Sequence, residues 1–235
     1  SATKIEEGVE LFGPVIAQCY GQAEAPMLVS MMSSNQINSA IKADKKSRLE
    51  SCGEITSCTN VMILDDQGRE VVTGKKGEIC CRGPLVSAGY YNNKSATADA
   101  RKFGWHHTGD IGYLDEDGFL YIVDRKKDMI ITGGFNVFAT EVEAAILALD
   151  SVLECAVIGV PDDKWGEAIK AIVVLKESYD FPGAQIIDAV RSPLGSYKTP
   201  KTVEIWDNIP KTVVGKIDKK AIRKKYWHDK PREVN

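Results

Sequence analysis

The charged stretch Asp124-Arg125-Lys126-Lys127-Asp128 divides this sequence of 235 residues into two parts of different character. Before it, from about residue 53 to residue 123, short apolar segments alternate with turn signals such as Asp117-Gly118, a pattern typical of antiparallel strands. After it, strand-like apolar segments alternate with helical patterns. We therefore predict an α+β protein with a β-rich part in residues 1–124 and a small α+β domain in residues 125–235.

The flanking segments give more specific expectations. Residues 113–123 contain two apolar runs around Asp117-Gly118 and predict a hairpin. Residues 35–50 are polar, and we predict a loop there. Thr140, followed three positions later by Glu143, matches a capping box and predicts a helix over residues 141–149. The lysine-rich residues 218–226 predict a terminal helix.

The composition excludes several classes of protein. Hydrophobic residues make up 43% and charged residues 27% of the chain, which is typical of a globular protein. The net charge of -3 gives no reason to expect nucleic acid as a partner, and no apolar stretch is long enough to be a transmembrane segment. None of the six cysteines forms a C-x-x-C pair, so their spacing argues against zinc and favours free thiols in the cytoplasm. The oligomeric state stays open.

Four short motifs carry candidate chemistry, and they occur in a fixed order. They are Tyr20-Gly21-Gln22-Ala23-Glu24, Thr108-Gly109-Asp110, the segment 130–137 with its pair Gly133-Gly134, and the segment 210–218. A carboxylate such as Asp110 can accept hydrogen bonds from both hydroxyls of a ribose, and a lysine such as Lys216 brings a compact charge on a flexible stem. Each motif alone is weak, because a T-G-D sequence is usually a surface turn and a G-K pair is often part of a basic helix end.

In combination the motifs resemble the carboxyl-terminal part of enzymes of the adenylate-forming superfamily, the AMP-dependent synthetases and ligases. They are most similar to the acyl-CoA synthetases of that superfamily, and the resemblance runs from about Leu11 to Tyr226. It implies that residues 1–124 are the β-rich end of a large adenylation domain and that residues 125–235 are a small mobile domain. It also implies a ligase that activates a fatty or aromatic carboxylic acid with ATP as an acyl-adenylate and transfers it to coenzyme A.

The resemblance assigns nucleotide-binding roles to residues on both sides of the boundary. Asp110 and Arg125 would hold the ribose of ATP or AMP, Glu24 would ligate Mg2+, and Tyr20 would pack on or near the nucleotide. The sequence departs from the family pattern at Ala23, where a threonine hydroxyl usually stands, and this puts one phosphate contact in doubt.

The resemblance also assigns roles to residues of the mobile domain. Lys127 falls at the hinge position, where the family uses aspartate or lysine. Gly133 and Gly134 would let the backbone approach the narrow pantetheine arm of coenzyme A. Lys216 would be the catalytic residue, bridging the acyl carboxylate and the α-phosphate during adenylation.

The glycine-, serine- and threonine-rich loop that grips the pyrophosphate end of ATP in this family does not occur in the sequence. We therefore expect the chain to be a piece of a longer enzyme and to be inactive alone. Two alternatives stay open. The acceptor could be a carrier-protein thiol, or oxygen as in luciferases, or the chain could be a non-catalytic binding module.

Overall fold

The computed structural model describes residues 2–179 and 182–227. The chain divides into two compact units, Ser1–Val123 and Asp124–Asn235, which we call the first and the second unit. Both contain helices and sheets, so the predicted mixed α and β fold class is confirmed. Within the described ranges, no helix combines the length and the apolar character that crossing a membrane requires.

The first unit has two sheets and four short helices among its described residues. One sheet has the order β1-β2-β3 and the other the antiparallel order β4-β5-β6-β7. The strands are β1 Gln18–Gln22, β2 Ala25–Met32, β3 Glu54–Ile55, β4 Asn60–Leu64, β5 Gly77–Arg82, β6 His106–Leu114 and β7 Leu120–Arg125, and the helices are α1 Ala2–Phe12, α2 Ser34–Lys42, α3 Lys46–Leu49 and α4 Lys94–Asp99. The predicted hairpin over residues 113–123 is present as the end of β6 and the start of β7.

The predicted loop over residues 35–50 is wrong, because α2 and α3 lie there. A capping box starts α2: the Ser33 hydroxyl accepts from the Gln36 amide at 3.3 Å, and the Gln36 side chain accepts from the Ser33 amide at 2.8 Å. Ile37 and Ala40, three positions apart, bury one face of this polar helix beside Met32. The apolar stripe is too narrow to stand out in the composition of the segment.

Strand β5 separates two clusters of buried side chains by simple alternation. Ile79 and Cys81 belong to the main core of the first unit together with Ile63, whereas Cys80 packs with Trp105 in a smaller cluster. Successive side chains of a strand point to opposite faces, so adjacent cysteines serve different layers. All six cysteines are free thiols.

The second unit is a sheet with helices packed against it. Its sheet has the order β10-β11-β8-β9, and β12 pairs in parallel with β11. The strands are β8 Ile130–Thr132, β9 Phe135–Val137, β10 Val152–Asp162, β11 Gly166–Leu175 and β12 Thr202–Ile205, and the helices are α5 Ala139–Leu147, α6 Gly183–Leu194 and α7 Lys219–Arg223, with a 3-10 turn at Lys126–Asp128. One cluster of buried residues joins α5 and α6 to the sheet, and another joins α7 to it.

The predicted capping box at Thr140 is wrong, because α5 begins at Ala139 and no side chain of its own caps it. Instead, the Asp124 carboxylate accepts from the Thr140 amide at 3.2 Å. Glu143 accepts from the Val157 amide at 2.7 Å and therefore serves the sheet. The terminal helix α7 is shorter than predicted, and the Asp218 carboxylate caps it by accepting from the Ala221 amide at 3.0 Å.

Candidate functional site

Tyr20 and Asp110 form a buried pair in the first unit. The Tyr20 hydroxyl donates a hydrogen bond to Asp110 Oδ2 at 2.6 Å, and the two residues are only 9% and 4% exposed. Burial and the neighbouring Asp110 carboxylate raise the pKa of the Tyr20 phenol. The phenol therefore stays protonated and acts as a fixed donor to this carboxylate.

The T-G-D motif lies in a bulge of β6 and not in a surface turn. The pairing register changes from Glu78 opposite Ile111 to Cys80 opposite His107, so the three motif residues of β6 oppose Ile79 alone. Gly109 adopts a φ of 71°, which favours glycine. A bulge reorients side chains locally, and this one turns Asp110 towards Tyr20.

Strand β5 holds the backbone of this bulge. The Thr108 hydroxyl donates to the Ile79 carbonyl at 2.7 Å and accepts from the Asp110 amide at 3.1 Å. Glu78 Oε1 accepts from the Gly109 amide at 3.1 Å. The main chain on both sides of the glycine is therefore fixed, which leaves Asp110 with little positional freedom.

Glu78 also belongs to a cluster with Cys80 and His107. His107 Nδ1 lies 3.0 Å from Glu78 Oε2 and 3.5 Å from Cys80 Sγ, and His107 Nε2 lies 3.1 Å from the Lys102 carbonyl oxygen. Sequence reasoning missed this cluster, because β5 and β6 bring together residues that are 27 and 29 positions apart.

Glu24 lies in the turn between β1 and β2. Its Oε1 accepts from the Tyr90 hydroxyl at 2.7 Å, and its carbonyl oxygen accepts from the Ser87 amide at 2.7 Å. The hydrogen bond to Glu24 raises the pKa of the Tyr90 phenol. A carboxylate oxygen is the donor type that Mg2+ prefers, and Mg2+ commonly takes one or two carboxylates together with substrate phosphates. The Glu24 carboxylate therefore offers one oxygen ligand of the type that Mg2+ takes.

In the second unit, the segment around Lys127 is anchored on both sides. Asp124 is buried, accepts from the Arg125 amide at 2.7 Å and also binds the start of α5. Burial raises the pKa of the Asp124 carboxyl. On the other side, Asp128 forms an ion pair of 2.7 Å with Arg223 of α7. Lys127 lies between these attachments, in the 3-10 turn.

Gly133 and Gly134 form the turn between β8 and β9, with φ angles of 58° and 81°. Their surroundings differ. A Cβ at residue 133 would lie 2.8 Å from the ring of Trp165, whose carbonyl also accepts from the Gly133 amide at 2.8 Å. A Cβ at residue 134 would meet nothing within 4 Å. The first glycine therefore packs closely against Trp165, and the second leaves open backbone.

Lys216 lies in an exposed, tightly closed loop before α7. The Gly215 amide donates to the Thr212 carbonyl at 2.9 Å, and the Thr212 amide donates to the Lys216 carbonyl at 2.7 Å. Gly215 has a φ of 78°. The Lys216 ammonium has no hydrogen-bond or ion-pair partner among residues 2–179 and 182–227. The loop therefore presents this charge on an ordered backbone.

Two family models match parts of this chain. Residues 2–91 match the family model described as AMP-binding enzyme, and residues 141–216 match the one described as AMP-binding enzyme C-terminal domain. The chain is 44% identical over 238 residues to a medium/long-chain-fatty-acid–CoA ligase, FadD8, of Mycobacterium tuberculosis, which covers 98% of this chain and 40% of that protein.

Two solved structures show the same fold. The o-succinylbenzoate CoA synthetase of Bacillus subtilis, in complex with its acyl-adenylate intermediate, is 30% identical with a TM-score of 0.80, over 100% of this chain and 45% of that chain. The amide bond synthetase McbA of Marinactinospora thermotolerans is 32% identical with a TM-score of 0.82, over 96% of this chain and 45% of that chain.

The chain belongs to the AMP-binding enzyme family. The curated relatives that it matches include fatty-acid–CoA ligases, and the chain spans about 40% of the length of these relatives.

Proposed function

We propose that this chain is part of an AMP-forming acid–thiol ligase that converts a carboxylic acid, ATP and coenzyme A into acyl-CoA, AMP and pyrophosphate. The observation that carries the proposal is the buried Asp110 carboxylate, which Tyr20 and the fixed bulge of β6 hold in place. The similarity of the chain to acyl-CoA ligases supports the same proposal. Preorganised acceptors of this kind bind hydroxyl groups without reorganisation.

Asp110 would accept from the ribose hydroxyls of the nucleotide, and Arg125 would donate to the same ribose. A carboxylate has about four lone-pair sites, so the bond from Tyr20 leaves Asp110 with further accepting capacity. Glu24 would hold Mg2+. When bound, this ion neutralises part of the negative charge of the triphosphate. Tyr90 would keep the Glu24 carboxylate oriented through its 2.7 Å hydrogen bond.

Lys216 would place its ammonium between the acyl carboxylate and the α-phosphate during adenylation. The acyl carboxylate and the α-phosphate are both negatively charged and repel each other. A positive charge between them lowers the energetic cost of this repulsion. After adenylation the second unit would turn about Lys127 and present the Gly133-Gly134 turn to the pantetheine arm of coenzyme A. Open backbone at Gly134 supports close approach of a narrow chain.

Medium- or long-chain fatty acids are the substrates that we propose first, and aromatic acids second. Support comes from the 44% identity to a medium/long-chain-fatty-acid–CoA ligase. The glycine-rich loop for the pyrophosphate end of ATP does not occur in this sequence, so we propose that the chain alone does not catalyse ATP–pyrophosphate exchange. The site of action is the cytoplasm, in keeping with free cysteines.

The test uses the intact ligase with Lys216→Ala and, as a matched control, Lys220→Ala. Lys220 is an exposed lysine four positions away. We expect Lys216→Ala to slow ATP–pyrophosphate exchange by about 10²–10³-fold, the usual effect of removing one transition-state donor. Thioester formation from preformed acyl-adenylate should be nearly unchanged, and the control should be active in both assays. Equal losses in both half-reactions would contradict the role of Lys216.

A second candidate function changes only the acceptor. The likeness to an amide bond synthetase favours an amine as the competing nucleophile. Coenzyme A, an amine, a phosphopantetheinyl carrier protein and oxygen can be offered in parallel to the enzyme loaded with acyl-adenylate. Consumption of the acyl-adenylate with coenzyme A, and with none of the other acceptors, supports the ligase. Nucleotide binding without any turnover would indicate a non-catalytic module.

A further inference from the structure

Three potential metal ligands of different chemistry converge between β5 and β6. They are Glu78 Oε2, Cys80 Sγ and His107 Nδ1, and all three atoms lie within 4.8 Å of one another. Two of the separations are 3.0 Å, from His107 Nδ1 to Glu78 Oε2, and 3.5 Å, from His107 Nδ1 to Cys80 Sγ. Glu78 is 8% exposed and Cys80 is fully buried, so this cluster is not a surface accumulation of charge.

The sheet itself builds the cluster. Glu78 and Cys80 are two positions apart on β5 and therefore point to the same face, and His107 is the direct cross-strand neighbour of Cys80. Paired strands hold their side chains with little freedom, so the three ligand atoms are preorganised. No part of this arrangement depends on the second unit.

The hydrogen bond on the far side of the imidazole decides what His107 can offer. The Lys102 carbonyl lies 3.1 Å from His107 Nε2 and can only accept, so Nε2 carries a proton. His107 Nδ1 then faces a carboxylate oxygen and a sulfur atom. A neutral ring would direct its Nδ1 lone pair at the lone pairs of Glu78, so a cation is needed between them. A proton can bridge one pair of these atoms, whereas a metal ion can bridge all three.

We propose that Glu78, Cys80 and His107 bind one Zn2+ ion, with a water molecule as the fourth ligand. Zinc accepts mixed sulfur, nitrogen and oxygen donors in tetrahedral geometry at about 2.0–2.3 Å, which places neighbouring donor atoms about 3.5 Å apart. The separation of 3.5 Å between His107 Nδ1 and Cys80 Sγ equals this value, and that of 3.0 Å between His107 Nδ1 and Glu78 Oε2 is slightly shorter. Binding releases the thiol proton of Cys80 and the proton shared by His107 and Glu78, and the ion takes their place.

The outer contacts of the cluster also suit a metal site. Histidines that bind zinc almost always donate the other ring nitrogen to a carbonyl or carboxylate, as His107 does to Lys102. The second oxygen of Glu78 is fixed by the Gly109 amide at 3.1 Å. The zinc site is distinct from the proposed Mg2+ site at Glu24. Its thiolate and imidazole are poor ligands for magnesium. It does not depend on the proposed ligase activity.

Cobalt titration of the chain tests the proposal, because Co2+ replaces zinc in such sites and reports its ligands by absorption. The exposed residues Cys19 and Cys58 are first changed to serine, so that surface thiols cannot contribute. We expect a thiolate-to-cobalt charge-transfer band and tetrahedral visible bands that saturate at one equivalent, and both should disappear on adding Zn2+. Zinc affinity is then measured by competition with a chromophoric chelator.

Two variants and a matched control assign the ligands. Cys80→Ser and His107→Gln should each remove the charge-transfer band or weaken zinc binding by more than about 100-fold, since losing even an outer-shell partner costs about 10–100-fold. Cys81→Ser, the adjacent buried thiol on the opposite face of β5, should keep both properties. Circular dichroism verifies folding, and His107→Gln decides the outcome if Cys80→Ser does not fold. A missing band at one equivalent, or a band retained in folded His107→Gln and Cys80→Ser, would overturn the site.

Discussion

The Tyr20 hydroxyl and the Asp110 carboxylate meet at 2.6 Å although 90 positions separate them in the chain. This hydrogen bond ties the middle of β1 to the bulge in β6, and the two strands belong to different sheets. Both partners are buried, so each satisfies the other where water cannot. The pair therefore links the stability of the first unit to the position of the residue that we assign to ribose binding.

Tyr20→Phe should destabilise the first unit. Removing the hydroxyl deprives a buried carboxylate of a donor, which costs about 1–3 kcal/mol of unfolding free energy. Native-state hydrogen exchange of the β6 amides measures the change within this unit. The control is Tyr91→Phe, whose ring is 92% exposed and should alter the exchange of β6 very little. Equal exchange rates in Tyr20→Phe and wild type would mean that the hydrogen bond is not maintained in solution.

The glycine pair predicts an asymmetry between two equivalent substitutions. Both Gly133→Ala and Gly134→Ala place an L side chain at positive φ, at a cost of about 1–2 kcal/mol. Gly133→Ala adds an overpacked contact with Trp165, which costs a further 1–3 kcal/mol, roughly. Thermal unfolding of the second unit should therefore show a larger loss for Gly133→Ala, together with a changed Trp165 fluorescence. A larger loss for Gly134→Ala would show that the turn has a different conformation.

The Asp128–Arg223 ion pair should contribute far more than an exposed pair of the same type. Both of its side chains are only 13% exposed, Arg223 Nη2 donates to Asp128 Oδ1, and Arg223 Nη1 has no hydrogen-bond partner among the described residues. Asp128→Ala leaves a buried guanidinium without its counter-charge, at a cost of about 3–5 kcal/mol. Asp188→Ala breaks an exposed pair with Arg191 and should cost about 0–1 kcal/mol. Urea unfolding of both variants gives the comparison, and similar midpoints would refute it.

The stability of the second unit should fall in acid through Glu204. Lys170 donates to Glu204 at 2.6 Å, and Tyr226 and Trp206 add further donors, so the pKa of Glu204 is lowered from 4.5 to about 2. A carboxyl group whose pKa is lower in the folded state than in the unfolded state stabilises the fold at pH values above its unfolded-state pKa. That contribution is lost as the pH falls from about 4.5 towards about 2.

Glu204→Gln should remove this part of the pH dependence, and the exposed Glu177→Gln should keep it. Thermal unfolding between pH 2 and neutral pH, followed at the second unit, measures both profiles. Superimposable profiles for wild type and Glu204→Gln would show that these three donors do not hold the carboxylate in solution.

Local sequence patterns predicted the fold class and the hairpin over residues 113–123, for physical reasons that act over short distances. The turn at Asp117-Gly118 joins β6 and β7 because glycine accepts positive φ there. The same reasoning failed for residues 35–50, where the capping box of Ser33 and Gln36 and the packing of Ile37 and Ala40 together stabilise the polar helix α2. It failed again at Thr140, because the group that accepts a hydrogen bond from the start of α5 is the distant Asp124 carboxylate.

The sequence by itself determined which chemical groups are available: the motifs with Asp110 and Lys216, the glycine pair and the family to which they point. Only the tertiary structure decided which groups meet. Strand pairing brought Cys80 to His107, although the absence of any C-x-x-C pair in the sequence argued against zinc, and sheet packing brought Tyr20 to Asp110. The reason is physical: local patterns follow from backbone propensity, whereas contacts across dozens of residues depend on register and on burial of the core.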